Sequence, residues 1–344
     1  MNDMNPLMSN KIITDNKYYF NKIMLVFYYI LSLALLSGLQ AFGKGVDYDQ
    51  YINIFGHFRN RVTTDPFYTL FRKLNDVLFS SSLFTIFFIN ALFALTIRLV
   101  AFKYLCTTYN NFLLCLVFHF FTFFFIHDYV QIRASLAIAI FLWSIKDIEE
   151  GNFLKFCIKT FLAVCCHISA VVMLPFYIFC KIFKGKKASL VLVLSSFLLS
   201  VFVTKIEIIN SLSKTINAII RLSEINRGTQ GEITISLFNL KYLSLLGLFI
   251  ILYFVIDKKN KINIVLYQSF AFGLASFYFF LTLGFWILAV RFAEFYTCVF
   301  IVLLANNIRH IKIKEKSFLY CMAYIFIFLY FYATLKTIGL LGRN

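Results

Sequence analysis

The chain has 344 residues, of which 61% are hydrophobic and 19% aromatic, with a mean hydropathy of +0.81. A soluble globular domain is excluded, because its apolar share is about half. The net charge of +17 does not argue for nucleic acid either: the basic residues sit mostly in short loops between apolar runs, as positive-inside topology requires, and no basic, aromatic-interleaved soluble domain is present.

Apolar runs long enough to cross a bilayer, about 20 residues each, recur along the chain. The polar N-terminal stretch carries Lys11, Lys17 and Lys22 and leads into a first run from Ile23 to Phe42. That run is too long for a signal-peptide core and lacks a small-residue cleavage site, so it reads as a retained span. Further runs fall near 83–101, 112–127, 131–147, 189–206, 237–256, 263–283, 286–307 and 317–336. The fold class is therefore all-α: one polytopic membrane domain over 1–344, with about ten or eleven segments.

The piece 155–180 is the awkward one. Lys146 precedes it and Lys181, Lys184, Lys186 and Lys187 follow it, and both groups belong in the cytoplasm. With both ends on one side, the segment must enter and return, and a turn around Cys166-His167-Ile168-Ser169 would make two half-spans. Such helix ends survive at membrane depth only under cover of protein or a wet cavity. This places 43–82 and 207–236 on the outer side, both too long for plain connectors. In 47–60, Tyr48, Tyr51, Ile52, Phe55 and Phe58 follow helical spacing opposite Asp49, Asn53 and Asn60, which predicts an amphipathic helix lying on the membrane. A second short helix is expected after Asp65-Pro66, with the proline in its first turn. The 207–222 piece repeats the amphipathic theme and loosens into the polar run Asn226 to Glu232, a loop placed to cover a site.

Few polar residues in this chain have a chemical vocation. Asp47 and Asp49 stand where the first span meets water, and either could act as general base toward a sugar hydroxyl or serve only as a helix cap. Arg133, at the outer start of a span, suits a pyrophosphate with its planar fork; the alternatives are snorkelling or an ion pair with Asp128. Arg291 and Glu294, three apart on one helical face, read either as a second anion site or as an internal salt bridge. His167 is nearly alone in an apolar run, where a packed core histidine is the common case, but its place at the expected turn gives it a functional reading; His119 and His127 have weaker claims. The eight cysteines, with no CxxC, read as small apolar filler. No histidine–carboxylate spacing suits zinc and no Gly-rich phosphate loop appears, so neither cofactor nor metal is expected. A divalent ion on Asp47 and Asp49 is the one arrangement that would change this.

Four of these marks, in order, carry a resemblance. Gly45-Val46-Asp47-Tyr48-x-x-Tyr51 with Asp65-Pro66-Phe67, then Arg133-Ala134-Ser135-Leu136-Ala137, then His167-Ile168-Ser169-Ala170, then Arg291-Phe292, resemble the EpsG/Wzy-type polysaccharide polymerase family over roughly 20–310. The resemblance implies a metal-independent glycosyltransferase of the bacterial inner membrane, with a fold like the GT-C enzymes. Its substrate would be an undecaprenyl-pyrophosphate-linked oligosaccharide, polymerised into O-antigen or a related glycan beside a chain-length regulator. In that reading Asp47, or Asp49 in its place, is the base; Tyr48 and Tyr51 offer ring faces to sugars; Arg133 and Arg291 hold the pyrophosphate; and His167 bonds a phosphate or orients an acid. A single-sugar transferase using a polyprenyl-phosphate donor is the alternative enzyme, and a lipid-linked-sugar flippase the alternative from another class; the latter would favour internal repeats, and none is visible.

Overall fold

The computed structural model describes residues 6–42, 48–55, 65–203, 236–257, 259–307 and 313–337. Every regular element among them is helical. In chain order these are α1 (Pro6–Gly38) with a 3-10 turn (Leu39–Phe42), α2 (Tyr48–Phe55), α3 (Pro66–Phe79), α4 (Leu83–Leu105), α5 (Tyr109–His119), a π-helix (Phe120–Val130) and α6 (Ile132–Glu149). Then follow α7 (Phe153–Cys166), a 3-10 helix (Ile168–Val172), α8 (Met173–Ile182), α9 (Lys186–Val203), α10 (Leu240–Val255), α11 (Lys261–Thr282), α12 (Trp286–Thr297), α13 (Phe300–Asn307) and α14 (Ile313–Thr337). Among the described residues, five helical stretches are long and apolar enough to cross a membrane: Lys22–Phe42, Leu83–Leu105, Tyr109–Val130, Lys261–Thr282 and Leu288–Asn307. Shorter apolar helices add to them, so the chain is an all-α polytopic membrane protein.

Five helix starts have a local cause in a side-chain cap. Ser82, Thr108, Asn152, Asn239 and Asn260 accept from backbone amides of the turns they open, so the short polar connectors double as caps. The lipid-facing surface is read from exposed Phe27, Tyr28, Leu154, Phe161, Val191, Phe202, Phe254 and Phe328, side chains that water would not tolerate in such number. Where α11 and α12 press together, a glycine makes room. A Cβ on Gly273 of α11 would lie 2.9 Å from Tyr296 Cβ and 3.2 Å from the Thr297 amide nitrogen of α12.

A buried polar cluster holds the π-helix to its neighbours. Arg98 of α4 pairs with Asp128 of the π-helix, and its Nη2 donates to Ser135 Oγ and O of α6 at 3.1 and 3.2 Å. Ser135 donates in turn to Asp128, whose Oδ2 lies 2.9 Å from His119 Nε2. Tyr29 of α1 closes the set, its hydroxyl 2.8 Å from His119 Nδ1. A charge taken out of water at membrane depth requires this density of partners.

The segment 155–180 does turn back. Tyr177 of α8 packs against Phe153 and Phe156 of α7 in tilted pairs, with ring centroids 5.0 and 5.1 Å away, and its hydroxyl donates to the Gly151 carbonyl at 3.3 Å. The far end of α8 thus lies beside the beginning of α7, and the bend falls at His167, whose backbone is extended. Lys159 pins the hairpin to α6 through buried Asp147 at 2.5 Å.

Three expectations change. The run 286–307 is two helices, α12 and α13, broken at Cys298-Val299. The short helix in 47–60 packs on protein instead of lying free on the membrane: Tyr51, Ile54 and Phe55 are buried, and Tyr51 meets Phe87 of α4 edge-on at 5.5 Å. The first helix begins at Pro6, inside the polar stretch. The amphipathic piece 207–222 and the loop Asn226 to Glu232 lie outside the described residues.

Candidate functional site

The site is built where α3, α6, the α7–α8 hairpin and α12 meet. Asp65 stands immediately before Pro66, in the N-cap position of α3, with extended backbone suited to a cap. Its side chain makes no cap bond. Its carbonyl accepts the first helical bond of α3, from Thr69 N at 3.0 Å, and the proline at the first helical position has no amide to satisfy. The carboxylate turns to long-range partners. Its Oδ2 accepts from Arg133 Nη1 at 2.9 Å, its Oδ1 from the Ile168 amide at 3.3 Å, and Oδ2 lies 3.8 Å from His167 Nδ1. One buried carboxylate, 1% exposed, thus gathers α3, α6 and the tip of the hairpin.

The scaffold around it explains why these three meet. Tyr68, one turn into α3, donates to Asn90 of α4 and lies 3.2 Å from the Ile132 carbonyl, which also accepts from Asn90 Nδ2 at 2.9 Å. This fixes α3 and α4 to the first residue of α6, immediately before Arg133. On the other side, the Tyr296 hydroxyl of α12 donates to the Val172 carbonyl at the end of the 3-10 helix. That bond ties the hairpin tip to the helix carrying Arg291.

Burial pushes the Asp65 carboxyl up, but the neighbouring His167, the Arg133 guanidinium and the Ile168 amide outweigh it and hold the group below the ordinary carboxylate range. Asp65 is therefore an anion, half neutralised by Arg133. Arg133 keeps a side-chain exposure of 24% and has more donors than Asp65 consumes. Arg291 is exposed, makes no ion pair among the described residues, and is close enough for its charge to act on His167 together with that of Arg133. Two guanidinium groups thus act on one imidazole, and with Asp65 counted the cluster is net positive. Among the described residues no three His, Cys, Asp or Glu side chains are grouped to hold a metal ion.

The expected residues divide accordingly. Arg133, His167 and Arg291 come together, from positions up to 158 residues apart in sequence. Asp47 lies outside the described residues, and Asp49 is exposed on α2. The ring of Tyr51 is not open to a sugar: it is 3% exposed, stacked on Phe55 and covered by Phe87, because α2 docks on α4 with that face. Tyr48 is half-buried and donates to the Ala41 carbonyl at 2.8 Å. Arg133 does not pair with Asp128, which Arg98 and His119 already occupy. Nor do Arg291 and Glu294 bridge. Glu294 turns inward to Lys241 of α10 at 3.0 Å, leaving it no part in holding an anion. Asp65, read from the sequence as a helix start and as part of a family mark, was given no role at the site; its signal was the acidic residue before proline.

No curated protein and no solved structure matches the chain. A family model does, over residues 23–341, spanning every element of the site. Family membership supports a function of the polysaccharide-polymerase type, and the match runs through α3, α6, the hairpin and α12: the chain belongs to the EpsG family.

Proposed function

We propose that the protein joins undecaprenyl-diphosphate-linked oligosaccharide units into O-antigen or a related surface polysaccharide, at the outer face of the bacterial inner membrane. The observation that carries this reading is the convergence of Arg133, His167 and Arg291 around buried Asp65. The growing chain leaves its lipid diphosphate as the anomeric carbon–oxygen bond breaks, and negative charge gathers on the departing oxygens. The Arg133 guanidinium, held by Asp65, stabilises that charge without reorganising, which is how such a group lowers a barrier, and Arg291 adds a second positive charge. Asp65 holds the Arg133 fork in place while leaving donors free for the ligand. The lipid tail needs a membrane-embedded enzyme, and the apolar outer faces of the helices supply one.

The test is glycan laddering in a deletion strain, complemented with wild type or Arg133→Ala at matched membrane expression. Collapse to single-unit glycan on deletion, restored by wild type and not by Arg133→Ala, is expected. Long chains persisting in the deletion strain, or loss of the single unit itself, would overturn the proposal and favour a flippase or an earlier transferase.

A further inference from the structure

A sugar hydroxyl that attacks the anomeric carbon must lose its proton, and the described site holds one group arranged to take it. We propose that Asp65 and His167 form a carboxylate–imidazole dyad in which His167, through Nε2, is the general base; this rests on the transferase reading above. Nδ1 of His167 is buried, faces Asp65 Oδ2 at 3.8 Å and has no hydrogen-bond partner among the described residues. The ring is 15% exposed at the side chain, which leaves Nε2 as the nitrogen at the open edge. Asp65 also accepts from the Ile168 amide, so it grips the backbone just after the histidine as well as facing its ring. A small rotation of the ring brings Nδ1–H onto the carboxylate, and catalytic hydrogen bonds are commonly long before substrate binds. The arrangement has the logic of a base oriented by a buried acid: the carboxylate fixes the tautomer with the proton on Nδ1 and steadies the imidazolium that forms.

Asp65 itself is badly placed for this role. Its oxygens are engaged by Arg133 and Ile168, and it is fully enclosed. The step balances without a co-reactant. The acceptor hydroxyl oxygen bonds to the anomeric carbon of the donor chain, its proton passes to Nε2, and the carbon–oxygen bond to the lipid diphosphate breaks with its electron pair leaving on the diphosphate. Charge collecting on that leaving group, held by Arg133 and Arg291, favours the cationic ring beside it. Water then removes the proton from His167.

The experiment uses the full-length protein in lipid nanodiscs with a lipid-diphosphate-linked oligosaccharide, comparing wild type, His167→Ala, His167→Gln and Asp47→Asn. Loss of the base should lower kcat by about 10²- to 10⁴-fold, with KM for the lipid diphosphate within about threefold, and added imidazole should restore part of the rate to His167→Ala. A histidine that only binds phosphate would raise KM and leave kcat. The wild type supplies a reading independent of variant folding. Its kcat/KM should fall tenfold per pH unit on the acid side of a single ionisation, as protonation removes the free imidazole base. The charged groups acting on the ring are Asp65 before α3, Arg133 on α6 and Arg291 on α12. A flat acid side, near-normal kcat in His167→Gln, or loss of kcat in Asp47→Asn with His167→Ala little affected would each overturn the dyad. Failure of wild type to lengthen any lipid-diphosphate oligosaccharide would instead remove the polymerase reading, and the dyad with it.

Discussion

Removing Lys241 should unfold the protein far more readily than removing Arg291, although only Arg291 should matter directly to the reaction. Lys241 Nζ and Glu294 Oε1 are 3.0 Å apart and each side chain is 9% exposed, so neither charge has water to fall back on. Lys241 also approaches the rings of Tyr242 and Tyr330, and Glu294 Oε2 has no hydrogen-bond partner among the described residues. Replacing Lys241 by Met would leave a carboxylate enclosed and uncompensated, a change that costs about 3–5 kcal/mol in buried pairs. Glu294→Gln would strand the lysine to similar effect. The double variant Lys241→Met/Glu294→Gln removes both charges while keeping volume, and should recover most of the loss, because desolvation of the pair offsets much of its attraction. Thermal unfolding in detergent or nanodiscs should show each single variant lowered by roughly 10 °C and the double variant well above both. Arg291→Gln should unfold close to wild type, since that side chain is exposed. Additive losses in the double variant, or single variants as stable as wild type, would refute the claim that this pair is a mutual compensation.

Other outcomes follow from the same geometry. Arg133→Lys should keep the charge but lose the planar fork that serves Asp65 and an anion together, lowering kcat/KM by about 10²-fold or more; polymerisation kinetics read this directly. Asp65, held below the ordinary carboxylate range, contributes stability that is present through neutral pH and lost as pH falls below about 4 toward its folded value. Asp65→Asn should therefore narrow the gap to wild type in acid-unfolding curves below about pH 4 and be distinctly less stable at pH 7. Gly273→Ala should cost about 1–3 kcal/mol, because the new methyl meets the Thr297 backbone, which cannot swing aside; unfolding temperature in nanodiscs checks it. Arg98→Met should leave Asp128 enclosed without its cation, reducing folded yield on size-exclusion, with Ser135→Ala milder.

Much of this architecture was legible because membrane insertion imposes strong rules on sequence. Lysines at both ends of 155–180 required an even number of crossings, and the hairpin follows from that count before any contact is considered. The helix break at 298–299 was invisible, since Tyr296, Thr297 and Cys298 keep the hydropathy of a continuous span. The face of α2 was predicted correctly as apolar but assigned to lipid, because periodicity reports that a face is buried and is silent on what buries it.

The polar pairings were harder, and for one physical reason. A sequence offers near neighbours first: Asp128 for Arg133, five residues away, and Glu294 for Arg291, three away. Both were declined by the fold. Asp128 and Glu294 point into enclosed space, where a charge survives only with full compensation, and Arg98 and Lys241 arrive from other helices to provide it. The two arginines left over keep solvent exposure and donors unspent. Asp65 joins Arg133 across 68 residues of chain and joins Ile168 across 103, separations that no spacing rule reaches. Its proline neighbour had hidden it as a helix start. Its carboxylate makes no cap bond to α3 and instead binds a guanidinium and faces an imidazole carried by other helices.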